Sequence, residues 1–295
     1  EKISIMFMEE LNIIFNGKLS LSIDIFKKIY KKPFLNQLVS SQLDVDRLDY
    51  LNRDSFYSGV NEGIINSDRI ISMLNVHNNE LVIDYKGIYS VEKFIIARKL
   101  MYWQVYLHKT VLSAEHALMK ILSRAKELTK NGLEIYSTPQ FKLFLFEQKK
   151  INQNIFLKNK LLNKFALLDD ADILTCIKNW RNSSDKVLKI LSKTIIDREL
   201  LKIQSVNKSK IKEKLKKIQK LAITKFNLNA KEVQYLVFPI SIKNETYNFI
   251  DDEIKFLKKN KVIINLSDIK NEFSMNTKNS RIIKHYICYP KECEI

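Results

Sequence analysis

Carboxylates and tyrosines alternate along QLDVDRLDYLNRD, residues 42–54. On a helix turning about 100° per residue, Asp46, Tyr50, Asp54 and Tyr57 fall within an arc of about 80°. Leu48 and Leu51 lie on the opposite side and can enter a core. A face of this kind could hold a hard cation through its carboxylate oxygens. It could equally hold a sugar, because Tyr and Asp both bond to a ribose hydroxyl. The same spacing also fits a solvated helix face, with Asp44 as N-cap and Arg47 and Arg53 as ion-pair partners. A second segment, ARKLMYWQVYLHK at 97–109, places Arg98, Tyr102, Tyr106 and Lys109 within about 80° of one another on one continuous helix. Two cations and two aromatics on one side could grip a triphosphate and a sugar. They could also form a cationic surface stripe beside a core of Met101 and Val105. His108 projects away from Tyr106 on that helix.

Other chemistries find no support. The chain has no glycine-rich phosphate loop, nucleophile elbow or paired-cysteine zinc motif. Of the four histidines, His77, His108, His116 and His285, none is followed by Asp and no two are four apart. Cys176, Cys288 and Cys293 lack metal-ligand spacing and suit a reducing, cytoplasmic setting. No apolar run approaches the roughly 20 residues of a membrane span, so no membrane partner is expected.

Taken together, the two segments resemble the HD-domain phosphohydrolases of the deoxynucleoside triphosphate (dNTP) triphosphohydrolase kind. The resemblance covers residues 1–120, and the C-terminal part more loosely. It implies metal-dependent cleavage of a dNTP to a deoxynucleoside and triphosphate. The divalent metal of that family is held by a His, a His-Asp pair and a later Asp, which Asp46 matches. Arg47 matches a phosphate contact, and Tyr50 and Asp54 match residues that meet the sugar. Arg98 and Lys109 match phosphate-binding positions. Tyr106 matches a tyrosine packed under the sugar where a 2′-hydroxyl would clash. Asp44 and His108 match positions near the site. The resemblance also implies a homo-oligomer. The family's His and His-Asp pair are not in this sequence. The expectation is therefore an N-terminally truncated chain, starting at Glu1, whose missing upstream segment carries those ligands. On that expectation no residue here is catalytic by itself, and the chain alone is inactive.

The net charge of +17 opens two other readings, a nucleic-acid-binding protein or an inactive scaffold or regulatory remnant of an HD protein. Abundant Lys, Asn and Ile, the residues that AT-rich coding DNA favours, account for the same charge without a partner.

The elements that must position these residues are mainly helical. Only five glycines and four prolines advertise turns. Residues 3–15 are apolar on nearly every face and read as a buried helix. Helices follow at 19–31, 34–39, 45–60 (stopped by Gly59 and Gly63) and 67–74, then a strand-like run at 81–85. Residues 90–130 read as one long helix ended by Asn131-Gly132. Helical patterns continue over 140–182, with breaks near 169–170 and 182–183, and over 184–196. Strand patterns at 200–206, 233–242, 253–256, 262–266 and 282–289 surround a Lys-rich helix at 209–226. The expected fold is mainly α, an HD-domain-like helical body with a small C-terminal α+β lobe. Its parts are 1–130, the C-terminal portion of an HD phosphohydrolase domain; 131–198, a helical extension; and 199–295, the α+β lobe.

Overall fold

The computed structural model describes residues 1–147, 161–244, 253–269 and 282–294. It is mainly helical, as expected, and carries two small sheets. Compactness divides the chain into two units, Glu1–His108 with Lys243–Ile282, and Lys109–Ile242 with Ile283–Ile295. Among the described residues, no helix is long and apolar enough to cross a membrane.

The first unit opens with α1 (Lys2–Ile14), α2 (Ser20–Phe26), α3 (Pro33–Val39) and α4 (Val45–Ser58). Helix α4 starts where the Asp44 side chain accepts a hydrogen bond from the Arg47 backbone N–H at 2.8 Å. It stops at Gly59, whose φ of +70° is the left-handed conformation that glycine adopts without strain. Leu48 and Leu51 are buried, as the helical spacing requires. After α5 (Ser67–Ser72), the strands β1 (Leu74–His77) and β2 (Glu80–Asp84) form a hairpin, and α6 (Ile88–Met101) follows. Val91, Phe94 and Met101 of α6 join Leu48 and Leu51 in the core. Each such side chain contributes about 1.5–3 kcal/mol by leaving water. At Gly63 the chain passes so close to this core that a Cβ would stand 2.5 Å from the Met101 sulfur and 2.8 Å from the Ser55 Cβ. No larger residue fits there unless Met101 or Ser55 moves.

Later strands complete this unit. β2 pairs in parallel with β5 (Lys255–Leu257) through Ile83 and Phe256, and β6 (Ile263–Asn265) pairs antiparallel with β5. The sheet order is therefore hairpin first, late strands second.

The second unit begins with α7 (Lys109–Lys130), which buries Leu112, Ala117, Ile121, Ala125 and Leu128 at helical spacing. Next come α8 (Pro139–Phe146), α9 (Leu161–Ala166), α10 (Asp170–Trp180) and α11 (Lys186–Ile196). Helix α11 packs on α7 and buries Val187, Leu188 and Leu191. Arg124 of α7 reaches across to Asp185 at 2.6 Å, and the Asp185 side chain also caps α11. A three-stranded sheet of β3 (Lys202–Ser205), β7 (Ile282–Tyr289) and β4 (Phe238–Asn244) carries α12 (Ile211–Phe226) and the single turn α13 (Val233–Leu236).

Four sequence expectations change. Residues 90–130 are two helices, not one: α6 gives way to a π-helical turn, Tyr102–Tyr106, and α7 starts afresh at Lys109. The helix at 67–74 stops at Ser72, because Leu74–His77 pairs with β2 instead. The apolar run at 233–242 begins as a helical turn before β4, with Val233 and Leu236 buried. Helix α1 buries only Met6, while Ile13 is 78% and Ile14 69% exposed. Apolar on every face, it packs mainly against α2, and a single neighbour covers only one side. The helical pattern over 140–182 runs partly outside the described residues, at 148–160.

Candidate functional site

Two four-spaced rows of side chains come together in the first unit. One is Asp46, Tyr50 and Asp54, one per turn along α4. The other is Arg98 near the end of α6, then Tyr102 and Tyr106 at the two ends of the π turn. The Tyr106 hydroxyl donates to Asp54 Oδ2 at 2.5 Å. Its ring meets Tyr50 edge-on, centroids 6.2 Å apart, and Tyr102 edge-on at 5.2 Å. The Arg98 guanidinium lies over the Tyr102 ring, 5.7 Å from its centroid. This cluster of a cation, three rings and a carboxylate is built by neighbouring helices whose far sides share one core.

The π turn sets the second row. Its wider winding is closed by the Leu107 N–H on the Tyr102 carbonyl at 2.7 Å. π turns inside helices occur frequently at functional sites. Here the turn fixes the direction in which Tyr106 meets α4.

Arg98 is the most constrained member. It is only 9% exposed, and its Nε has no hydrogen-bond partner among the described residues. Its Nη1 reaches Gln42 Oε1 at 3.4 Å, the Tyr50 hydroxyl is a second hydrogen-bonding neighbour of the guanidinium, and no described carboxylate pairs with it. Cations this deeply buried normally have an anionic partner. Burial pushes the Tyr50 hydroxyl above the usual tyrosine range, against the pull of the Arg98 charge. Burial, then the bond to Asp54, pushes Tyr106 still higher. Both rings therefore stay neutral hydrogen-bond donors through the physiological range.

The remaining sequence candidates are placed as follows. Asp44 is buried and holds the loop before α4 as well as the helix start, accepting from the Ser41 N–H at 3.1 Å. Arg47 turns back to bond Asp44 and the Ser41 carbonyl. Asp46 is exposed in the first turn of α4 and has no partner among the described residues. His108 is exposed in the break after the π turn. Lys109 is exposed and opens α7, in the second unit. Only a continuous helix would set Lys109 on the same side as Arg98, and the π turn with the break after it removes that register. Tyr57 shares the α4 arc but stands 80% exposed against Phe56, outside the cluster. Gln42, the contact of Arg98, was not singled out in the sequence; its position at the head of the first motif was the available signal.

The donor set bears directly on a metal. Among the described residues, no group of three or more His, Cys, Asp or Glu could hold one. Asp46 offers one carboxylate, and a divalent ion takes several protein or water oxygens. These residues do not by themselves fit a complete metal centre.

Comparison with known proteins supplies the context. Residues 65–156 match the family described as HD associated region. The crystal structure of a phosphohydrolase from Bacteroides thetaiotaomicron superposes with a TM-score of 0.87 at 44% identity, covering 97% of this chain and 71% of that one. An uncharacterised protein of Bacillus subtilis is 35% identical over 184 residues, 62% of this chain and 40% of its own length. The deoxynucleoside triphosphate triphosphohydrolase SAMHD1 homologue of Dictyostelium discoideum is 22% identical over 178 residues, 58% of this chain and 32% of its own length. The chain thus spans less than half of these two curated relatives.

Proposed function

The chain belongs to the HD-domain phosphohydrolase family, and from that premise we propose that it supplies the sugar- and phosphate-gripping part of an enzyme that hydrolyses dNTPs to deoxynucleosides and triphosphate. One observation carries the reading: a buried Arg98 without a counter-ion stands beside the Tyr106–Asp54 hydrogen bond. A triphosphate supplies the anion that Arg98 lacks. A deoxyribose presents a hydroxyl to Asp54 and an unsubstituted 2′ face to the Tyr106 ring. The likeness to a dNTP triphosphohydrolase homologue points the same way.

In this reading each side chain has a defined task. Arg98 neutralises phosphate charge from within a low-dielectric setting, where a fixed cation acts more strongly than in water. Arg47, held by Asp44 and Ser41, adds charge to the same end. Tyr50 and Asp54 hold the sugar, Tyr106 packs beneath it, and Asp44 and His108 flank the site. Asp46 would be one ligand of a divalent ion, which would polarise a phosphoryl oxygen, and its other donors would come from parts of the family's longer chains that these residues do not cover. Homo-oligomerisation, a cytoplasmic setting and buried, unpaired thiols at Cys176, Cys288 and Cys293 complete the proposal.

The test separates binding from turnover. The 295-residue chain is expected to bind dNTPs in calorimetric titration and to release no triphosphate when the products are resolved by ion chromatography. Failure to bind any dNTP contradicts the assignment. Sustained, metal-dependent triphosphate release would show that these residues suffice for catalysis and would overturn the ligand count.

A further inference from the structure

A second cationic feature lies on α12 and owes nothing to the cluster around Arg98. Residues 208–225 carry eight lysines and a single acidic residue, Glu213. Lys and Arg together are 50 of 295 residues, so lysine here is more than twice as dense as cationic residues in the chain as a whole. Biased composition spreads lysine evenly and does not explain this concentration. Lys212, Lys216 and Lys220 repeat every four residues along α12, all exposed, and Lys208 precedes them in the turn leading into the helix. None of these four side chains has a partner among the described residues. Glu213 is engaged by Lys217 at 2.7 Å, which leaves the row without a compensating charge. Like charges one turn apart destabilise a helix, so the sequence maintains the row against its own local preference.

We propose that this face of α12 docks nucleic acid through the phosphate backbone, without reading sequence. Geometry favours an extended polyanion. Successive lysines stand about 6 Å apart along the axis, and the charges of one duplex strand recur about every 3.4 Å. Each lysine can therefore meet about every second phosphate, whereas a compact ligand would reach only one or two of them. Lysine is a point charge without the planar fork that reads a guanine edge, which suits contacts that position without specifying. A bilayer is the poorer fit. A surface-lying helix needs a free apolar face, and the apolar side of α12, with Ile218 and Ala222 fully buried, is packed inside its own unit. Leu221 is the one large hydrophobic residue of the helix that is exposed.

The test is fluorescence anisotropy of a short labelled duplex and of its single strand with the 295-residue chain, titrated across salt. Logarithmic affinity is expected to fall linearly with logarithmic salt concentration. The triple variant Lys212→Gln/Lys216→Gln/Lys220→Gln is expected to lower the slope by about 2–3 and the affinity at least tenfold, since each lost duplex phosphate contact removes about 0.9 from the slope. Circular dichroism reports whether the triple variant stays folded. Lys216→Glu is the second variant: it sets a carboxylate one turn from Lys212 and Lys220, supports the helix, and should weaken binding as strongly. A triple change at Lys258, Lys259 and Lys261, a lysine group in the first unit, should leave the slope unaltered. Duplexes of unrelated sequence should bind equally. The proposal is overturned if the wild type does not bind DNA, if both α12 variants bind like the wild type, or if the α12 changes abolish binding only to phosphatidylserine vesicles.

Discussion

Replacing Arg98 with methionine is expected to raise the stability of the chain while weakening dNTP binding by about tenfold to a hundredfold. The two effects have opposite signs because the residue is placed for a ligand rather than for the fold. In the free chain its charge is buried at 9% exposure, with an unpartnered Nε, a long contact to Gln42, the Tyr50 hydroxyl as a neutral neighbour and no carboxylate. Burying a charge without a counter-ion is unfavourable. Methionine keeps most of the apolar length and can retain contact with the Tyr102 ring. Each kcal/mol regained would raise the melting temperature by about 2–4 °C for a domain of this size. On the binding side, a hydrogen bond to a charged group contributes about 1.5–3 kcal/mol, and about 1.4 kcal/mol is a factor of ten. Thermal melting and calorimetry on the same preparations check both halves. A lower melting temperature with unchanged dNTP affinity would make Arg98 a structural residue.

The Tyr106→Ala variant is expected to lose discrimination between dGTP and GTP by at least about tenfold, the scale on which a shaped pocket separates close analogues. The ring is held from three sides, by the bond to Asp54 at 2.5 Å and by edge contacts with Tyr50 and Tyr102. A ring fixed in this way cannot swing aside for a 2′-hydroxyl, and removing it opens that volume. Tyr106→Phe separates sterics from hydrogen bonding. It keeps the ring and should keep the discrimination, while the loss of its bond to Asp54 costs about 0.5–1.5 kcal/mol of stability. Competition between dGTP and GTP for each variant is the measurement. Equal discrimination in wild type and Tyr106→Ala would place the reading of the sugar elsewhere.

Some of this architecture was legible in the sequence, and the physical reason differs element by element. Helix α4 declared itself because Asp44 is a short polar N-cap, Gly59 tolerates the left-handed stop, and Leu48 and Leu51 sit opposite the polar row. The pairing of Arg98 with Tyr102 followed from four-residue spacing alone. The π turn did not show, because Tyr102–Tyr106 contains neither glycine nor proline and an ordinary α-helix would accept the same residues. The Tyr106–Asp54 bond joins positions 52 apart, and no local pattern encodes it. Strand β1 was hidden because its burial does not alternate, with Asn75 and Val76 both exposed. The parallel pairing of β2 with β5 is likewise a long-range choice. Helix α1 misled because uniform apolarity indicates that a helix will be covered, not what covers it.

The most direct measurement of the central claim is the electron density of dGTP bound to the 295-residue chain. The account places the deoxyribose over the Tyr106 ring with its hydroxyl within hydrogen-bond reach of Asp54, and the triphosphate against Arg98. Density for the nucleotide away from this cluster, with Arg98 still without an anion and the Tyr106–Asp54 bond untouched by ligand, would contradict it.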